Sequence, residues 1–216
     1  MSSTKLRRTG KLRPLKPLWR NGWTASAPRN SADTRRRRSR LASLSIPPPS
    51  LFFVAVTHTG SIEKNDLVKE LEARFGKLLS VSDSFDFNFT DYYKKEMGDH
   101  LVKFIAAFAE LQSEDRLADH KLNAMEIEKR YLDELGNRKV NLDPGFMSQA
   151  RVILSSSKNF AQRIYLGKGV FAEVTLLYRH ENFTALPWSY PDYQSPFVKN
   201  FLLEVRREYT RILKGG

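Results

Sequence analysis

Two groups of polar residues in this chain are of types that bind ligands or move protons. The first is Asp91-Tyr92-Tyr93 together with Asn141 and Asp143. Two carboxylates, an amide and two phenols could hold a cation, or orient a sugar or a base. The second is Arg163, Tyr165 and Glu173, with Lys158 close by in sequence. Arg163 could clamp a phosphate or carboxylate, and Glu173 could act as general acid or base. Structural duties compete for the same residues. Thr90 or Asp91 can cap a short helix, Asp143 can make an Asx turn before Pro144, and the tyrosines can pack. Arg163 opposite Glu173 can be a cross-strand ion pair of roughly 0.2–1 kcal/mol. Trp188, Tyr190 and Tyr193 could stack on a ring or fasten a loop to the core.

Other chemistries are excluded by what the sequence lacks. There is no cysteine, so disulfides, thiolate metal sites and cysteine nucleophiles are ruled out. The Gly-Lys pairs at 10–11, 76–77 and 167–168 are followed by Leu, Leu and Gly, where a phosphate-cradling P-loop needs Ser or Thr. Zinc-protease spacing, a Gly-x-Ser-x-Gly elbow and a Gly-x-Gly-x-x-Gly fingerprint are also missing. His58-Thr59 is similar to the paired His-x-Ser/Thr motifs of two-histidine phosphoesterases, but the residue two after His58 is Gly60 and no second copy exists. The residues considered single out no metal or cofactor.

The candidate residues depend on elements readable from periodicity. Leu51–Thr57 is a short apolar run with β-branched and aromatic members, which predicts a buried strand. Ser61 is placed to cap a helix over 62–75, with Gly76 as its stop. Val81–Thr90 alternates, with Phe85, Phe87 and Phe89 on one face, and predicts a half-buried strand. Leu101–Leu111 reads as another strand. Ser113 reads as the cap of a long helix closed by Gly136, and Lys139–Leu142 as a strand halted by an Asp143-Pro144-Gly145 turn. The order β-α-β-β-α-β is that of a ferredoxin-like sandwich. Its 4-1-3-2 sheet would bring the ends of the second and fourth strands beside the start of the first, and so join Asp91-Tyr92-Tyr93 to Asn141 and Asp143. A short helix over Ser148–Ser157 is expected next. A hairpin of Arg163–Leu166 with Val170–Arg179 follows, and a last helix over about 196–213. The hairpin register pairs Leu166 with Val170, Tyr165 with Phe171, Ile164 with Ala172 and Arg163 with Glu173. The fold class is therefore α+β: a ferredoxin-like βαββαβ unit extended by a short helix, a β-hairpin and a C-terminal helix.

The net charge of +12 would ordinarily suggest a polyanionic partner. Residues 1–47 hold thirteen Lys or Arg against the single acid Asp33, which is the whole of that excess; the remainder is balanced. This Arg-, Ser- and Pro-rich stretch lacks an apolar period and predicts a disordered basic segment. It could be a transit peptide, a polybasic arm for nucleic acid or anionic lipid, or a charged linker; alternatively, translation starts downstream of it. No apolar run approaches the roughly 18 residues that a membrane span requires. Residues 51–214 are expected to form one α+β domain.

The strings FNFTDYYKKEMG with Phe87 at their head, RKVNLDPGF (138–146), RIYLGKGVFAEVTLLY (163–178) and LPWSYPDYQSP (186–196) resemble one family, the bacterial and archaeal domain of unknown function 4416. The resemblance covers about residues 51–214 and leaves out the basic segment. It implies motif positions at Thr90, Asp91, Tyr92, Tyr93, Asn141, Asp143, Pro144, Gly145, Arg163, Tyr165, Glu173 and Trp188. Gln162 stands where the family pattern has a histidine, so an acid–base role for that histidine has no residue to carry it here. The family has no established reaction. Its members often bear an automatic GTP-binding label, for which this chain supplies neither a P-loop nor a guanine-reading Asn-Lys-x-Asp string. The leading expectation is a cytoplasmic domain binding a small polar or anionic ligand, a nucleotide among the candidates, in a cleft lined by Asp91, Tyr92, Asp143, Arg163 and Glu173. A hydrolase or transferase using Glu173 or Asp143 is its enzymatic version. The rival is a non-catalytic interaction module whose basic arm contacts nucleic acid.

Overall fold

The computed structural model describes residues 44–215. The expectation for the basic segment falls on residues 1–47, all but the last four of which lie outside the described residues. In chain order the elements are β1 (Ser50–Thr59), α1 (Lys64–Phe75), β2 (Leu78–Val81), β3 (Phe85–Asp86), α2 (Lys94–Met97), β4 (Leu101–Gln112), α3 (Leu117–Glu128), β5 (Val140–Met147), β6 (Arg151–Ser156), β7 (Ile164–Gly167), β8 (Val170–Arg179), β9 (Asn182–Ala185), α4 (Pro191–Gln194) and α5 (Pro196–Leu213). The architecture is α+β, with one large antiparallel sheet. Its strand order is β2-β4-β1-β5-β6-β8-β7, with β3 beside β4 and β9 beside β8.

The sheet is buried on both faces at its centre, which is why β1 and β4 read as near-continuous apolar runs. Successive side chains of a strand point to opposite faces. Phe52, Val54 and Val56 of β1, Phe104, Ala106 and Phe108 of β4, and Leu142 and Phe146 of β5 therefore form one core with Leu67, Leu71 and Phe75 of α1 and Leu117, Ala124 and Ile127 of α3. On the other face Phe53, Ala55, Ile105, Ala107, Met147 and Leu154 pack with Val198, Leu202, Val205 and Tyr209 of α5. Ser195 starts α5 by accepting a hydrogen bond from the Val198 amide, and Pro196 fills the first helical position, where its missing N–H costs nothing.

Several local expectations are corrected. Asp143-Pro144-Gly145 is not a turn: β5 runs through it, pairing Asp143, Pro144 and Gly145 with Ala55, Val54 and Phe53 of β1. Local turn chemistry is overruled because the segment fills a place inside the sheet. Gly145 is required there by close approach, since a Cβ would lie 2.6 Å from the Phe53 ring and 2.5 Å from the Ile153 carbonyl oxygen. The segment 148–157 is a strand, β6, rather than a helix, because Val152, Ile153 and Leu154 pair with both β5 and β8. Val81–Thr90 does not run as one strand; pairing with β4 breaks after Val81 and resumes only at Phe85–Asp86. Ser61 does not cap α1: its hydroxyl bonds the Thr59 hydroxyl, and Glu63 holds the cap position. Ser113 makes no side-chain cap, and α3 ends at Glu128 instead of Gly136, where Asp133 organises a loop by accepting from the Leu135 and Asn137 amides. The hairpin keeps the expected Ile164–Ala172 and Tyr165–Phe171 pairs, but a bulge brings Gly167 opposite Val170. Lys168 and Gly169, both at positive φ, make its turn.

Candidate functional site

Pro144 shapes the site. The β5–β6 ladder runs from Met147 to Gly145 and stops there. Proline has no N–H to extend it, and Ser155 instead donates its hydroxyl to the Pro144 carbonyl. Beyond that point the strands part, opening a cleft toward the start of β5 and the end of β1. Asn141 and Asp143 share a face of β5 by alternation, and both lie along this opening. The cleft has two compartments that share Tyr93, Asp143, Leu154, Lys158 and Tyr190.

The smaller compartment, about 110 Å³, is polar and closely paired. Arg138 forks onto Glu96 at 2.6 and 2.8 Å and donates to Asn141 Oδ1 at 2.8 Å. Asn141 Nδ2 donates to Asp143 Oδ2 at 2.8 Å. From α3, Lys121 donates to the Leu142 carbonyl at 2.6 Å and reaches Asp143 Oδ1 at 3.4 Å and Glu128 at 3.8 Å. Glu128 also accepts from the Leu142 amide at 2.7 Å. Burial pushes the Glu128 carboxyl above its usual range, against the pull of Lys121, while the Arg138 fork holds Glu96 below it.

The larger compartment, about 440 Å³, is walled by rings. Phe87, Phe89, Tyr92 and Tyr93 come from the segment between β3 and α2, Phe160 from the β6–β7 connection, and Trp188, Tyr190 and Tyr193 from the connection into α4 and that helix itself. Lys103 of β4 lies inside this wall. Its ammonium pairs with Asp192 at 2.6 Å and sits 5.0 Å from the Phe87 ring centre and 5.2 Å from that of Tyr193. Lys158 stands 3.6 Å over the Tyr92 ring and forms no ion pair among the described residues. Burial raises the Tyr93, Tyr190 and Tyr193 phenols, which stay protonated at neutral pH. The Tyr193 hydroxyl is buried without a hydrogen-bond partner among the described residues.

The residues proposed from sequence are distributed unevenly. Tyr92, Tyr93, Asn141, Asp143 and Arg163 line the cleft. They meet at the end of β1, where Asn141 faces Thr57, rather than at its start. Glu173 lies behind Arg163, its side chain 1% exposed, accepting from Arg163 Nε at 2.8 Å and Gln162 Nε2 at 3.3 Å. Arg163 commits four of its five N–H groups, to Glu173, Ser156, the Lys158 carbonyl and the Tyr190 hydroxyl. Its main effect is to fix Tyr190 and the 156–158 turn. Asp91 faces away on an exposed pair with Lys94 at 2.7 Å. Tyr165 is exposed, its ring tilted against Phe171 at 5.1 Å between centres, with its hydroxyl accepting from the Gly169 amide. Sequence reasoning missed Lys103, Asp192, Lys121, Glu128 and Arg138. The signal for Lys103 was present, since a lysine inside the apolar run LVKFIAAF needs a buried partner.

Among the described residues no three His, Asp or Glu side chains are grouped to hold a metal ion, and no helix is long and apolar enough to cross a membrane. The family model described as Domain of unknown function (DUF4416) matches residues 48–209. No curated protein and no solved structure matches the chain.

Proposed function

The chain belongs to the family of the domain of unknown function DUF4416, a kinship that names no reaction, and from its cleft we propose that it binds a small planar ligand carrying an anionic group. The observation that carries this reading is the convergence of eight aromatic side chains from three separate segments on one opening of about 440 Å³. Pockets of that size, mostly apolar with a few placed polar groups, are the common form of small-molecule sites. Rings offer stacking faces to a planar molecule. Lys158, whose charge has no carboxylate partner among the described residues, is the cation offered to an anionic substituent. In the enzymatic version the acid or base is Asp143, whose side chain is 27% exposed, because Glu173 is covered by Arg163.

The surrounding fold supports a finer reading of the scaffold. We take the β2-β4-β1-β5 half with α1 and α3 as a ferredoxin-like unit, to which β6–β9 and α5 are added, within one domain over residues 51–214 working in the cytoplasm.

Thermal unfolding of the full chain with millimolar phenyl phosphate, and with GTP in the presence and absence of magnesium, tests the ligand reading. A bound ligand raises Tm with concentration, and Lys158→Ala should blunt the rise. If none of these probes moves Tm, the reading fails. A second reading rests on the confinement of the +12 excess to residues 1–47: this segment contacts nucleic acid. Deleting it should abolish salt-sensitive polyanion binding and leave small-ligand binding intact.

A further inference from the structure

We infer that the ligand of the cleft is dipolar: an aromatic zwitterion whose ammonium meets the Asp143 carboxylate while its acid group meets Lys158 and its ring lies against the aromatic wall. This rests on the ligand reading above and narrows its ligand from planar anions to rings that carry charges of both signs.

The charges that line the aromatic compartment pair off incompletely. Lys103 is matched by Asp192 at 2.6 Å, and Arg163 by Glu173 at 2.8 Å. Among the described residues of this lining Asp143 and Lys158 remain, of opposite sign, on the wall that the two compartments share. They do not satisfy each other. Lys158 forms no ion pair among the described residues, and its ammonium stands instead 3.6 Å over the Tyr92 ring. Asp143 is only partly compensated from behind. Lys121 reaches its Oδ1 at 3.4 Å but also serves the Leu142 carbonyl at 2.6 Å and Glu128 at 3.8 Å. Arg138 is forked onto Glu96 and lies 3.6 Å from Glu128. Three carboxylates therefore share two cations, and Asp143 is the one of the three that opens on both compartments. Its side chain is 27% exposed, against 7% for Glu128, so a ligand can reach it.

Attraction and repulsion then set the preference together. A singly charged aromatic anion satisfies Lys158 but brings its charge toward Asp143, in a site walled by rings, where charges act more strongly than in open water. An aromatic cation meets the reverse difficulty at Lys158. A ring carrying both charges finds a complement at each end, and each contact is a charge-assisted hydrogen bond. Rejecting the wrong partner contributes to such selectivity as much as holding the right one.

The test is isothermal titration of the full chain with tyramine phosphate, which carries an ammonium and a phosphate on one ring, and with phenyl phosphate and tyramine, which keep one charge each. Tyramine phosphate should bind more tightly than either by roughly tenfold or more, the worth of one hydrogen bond to a charged group. Asp143→Asn should bring its advantage over phenyl phosphate close to one without weakening phenyl phosphate itself. Lys158→Ala should weaken both phosphates and leave tyramine unchanged. The comparison in the unaltered chain stands whether or not the variants fold. Phenyl phosphate binding as tightly as tyramine phosphate overturns the inference and leaves the ligand reading in place, as does an advantage that survives Asp143→Asn. Tyramine matching tyramine phosphate overturns both, since the anionic group would then count for nothing, and so does binding of none of the three.

Discussion

The two compartments of the cleft share a wall but follow opposite rules. In the polar one nearly every charge has a partner: Glu96 with Arg138, Arg138 with Asn141, Asn141 with Asp143, and Lys121 with Asp143 and Glu128. In the aromatic one Lys103 and Asp192 satisfy each other, whereas among the described residues Lys158 has no ion-pair partner and the Tyr193 hydroxyl no hydrogen-bond partner. A closed network holds geometry and gains little from a ligand, while unspent donors beside stacking faces gain much. Asp143 lies on the boundary, held by Asn141 and Lys121 of the first compartment while it also lines the second.

The largest effect expected from this contrast is on folding. Lys121→Met leaves Glu128 and Asp143 near one another without their common cation, and breaking a buried charge cluster from one side costs about 3–5 kcal/mol. Urea denaturation reads this directly, and Lys121→Met combined with Glu128→Leu should recover part of the loss. A change below about 1 kcal/mol would mean that the polar compartment is solvated rather than structural.

Acid provides a milder version of the same comparison. His120 is stacked 4.1 Å from Phe52 with Nε2 on the Gln112 side-chain oxygen at 2.8 Å, and burial, helped by the charge of Arg116, lowers its pKa to about 4. His58 is lowered for the same main reason. The folded state thus refuses protons that the unfolded chain binds near 6.5. Stability is full above that value, declines as pH falls through it, and levels off below about 4 for His120. Between pH 7.5 and pH 5 the loss through His120 alone is about 2 kcal/mol. Glu96, lowered by its fork to Arg138, adds a decline that begins only as pH drops below its ordinary value. The buried phenols of the aromatic compartment are raised, and they stay protonated throughout this range. Urea midpoints across pH, with His120→Gln removing its share of the slope, check the sign.

How much of this was legible depended on where the deciding contact lay. β1, α5 and the hairpin were readable because their periodicity is local. The Arg163–Glu173 pair was readable because a carboxylate inside an apolar strand demands a partner across the turn. Tyr93 and Asp143 were brought together by strand order, although at the other end of β1. Pro144 misled because proline before glycine spells a turn in isolation, and only the neighbouring strands make it the point where a ladder stops. Lys103 and Asp192 lie 89 positions apart, and nothing local to either names the other. The reserve of unpaired groups could not be read at all, because a missing partner is a property of packing.

The smallest predicted effects separate two tyrosines that exposure does not. Tyr92 and Tyr165 are 56% and 60% exposed, and each rests against one neighbouring ring, Tyr93 and Phe171 respectively. Neither should matter much to folding, so Tyr92→Ala and Tyr165→Ala are both expected within about 0.5 kcal/mol of the unaltered chain. Their effects on binding should differ, because only Tyr92 borders the cleft and carries the Lys158 ammonium on its face. Losing that ring frees Lys158 to wander and removes one wall, which is worth about 1 kcal/mol, or roughly fivefold in affinity for phenyl phosphate. Tyr165→Ala should leave that affinity where it was. Equal losses in the two variants would mean that the β7–β8 hairpin takes part in binding, and the site would then have to be redrawn to include it.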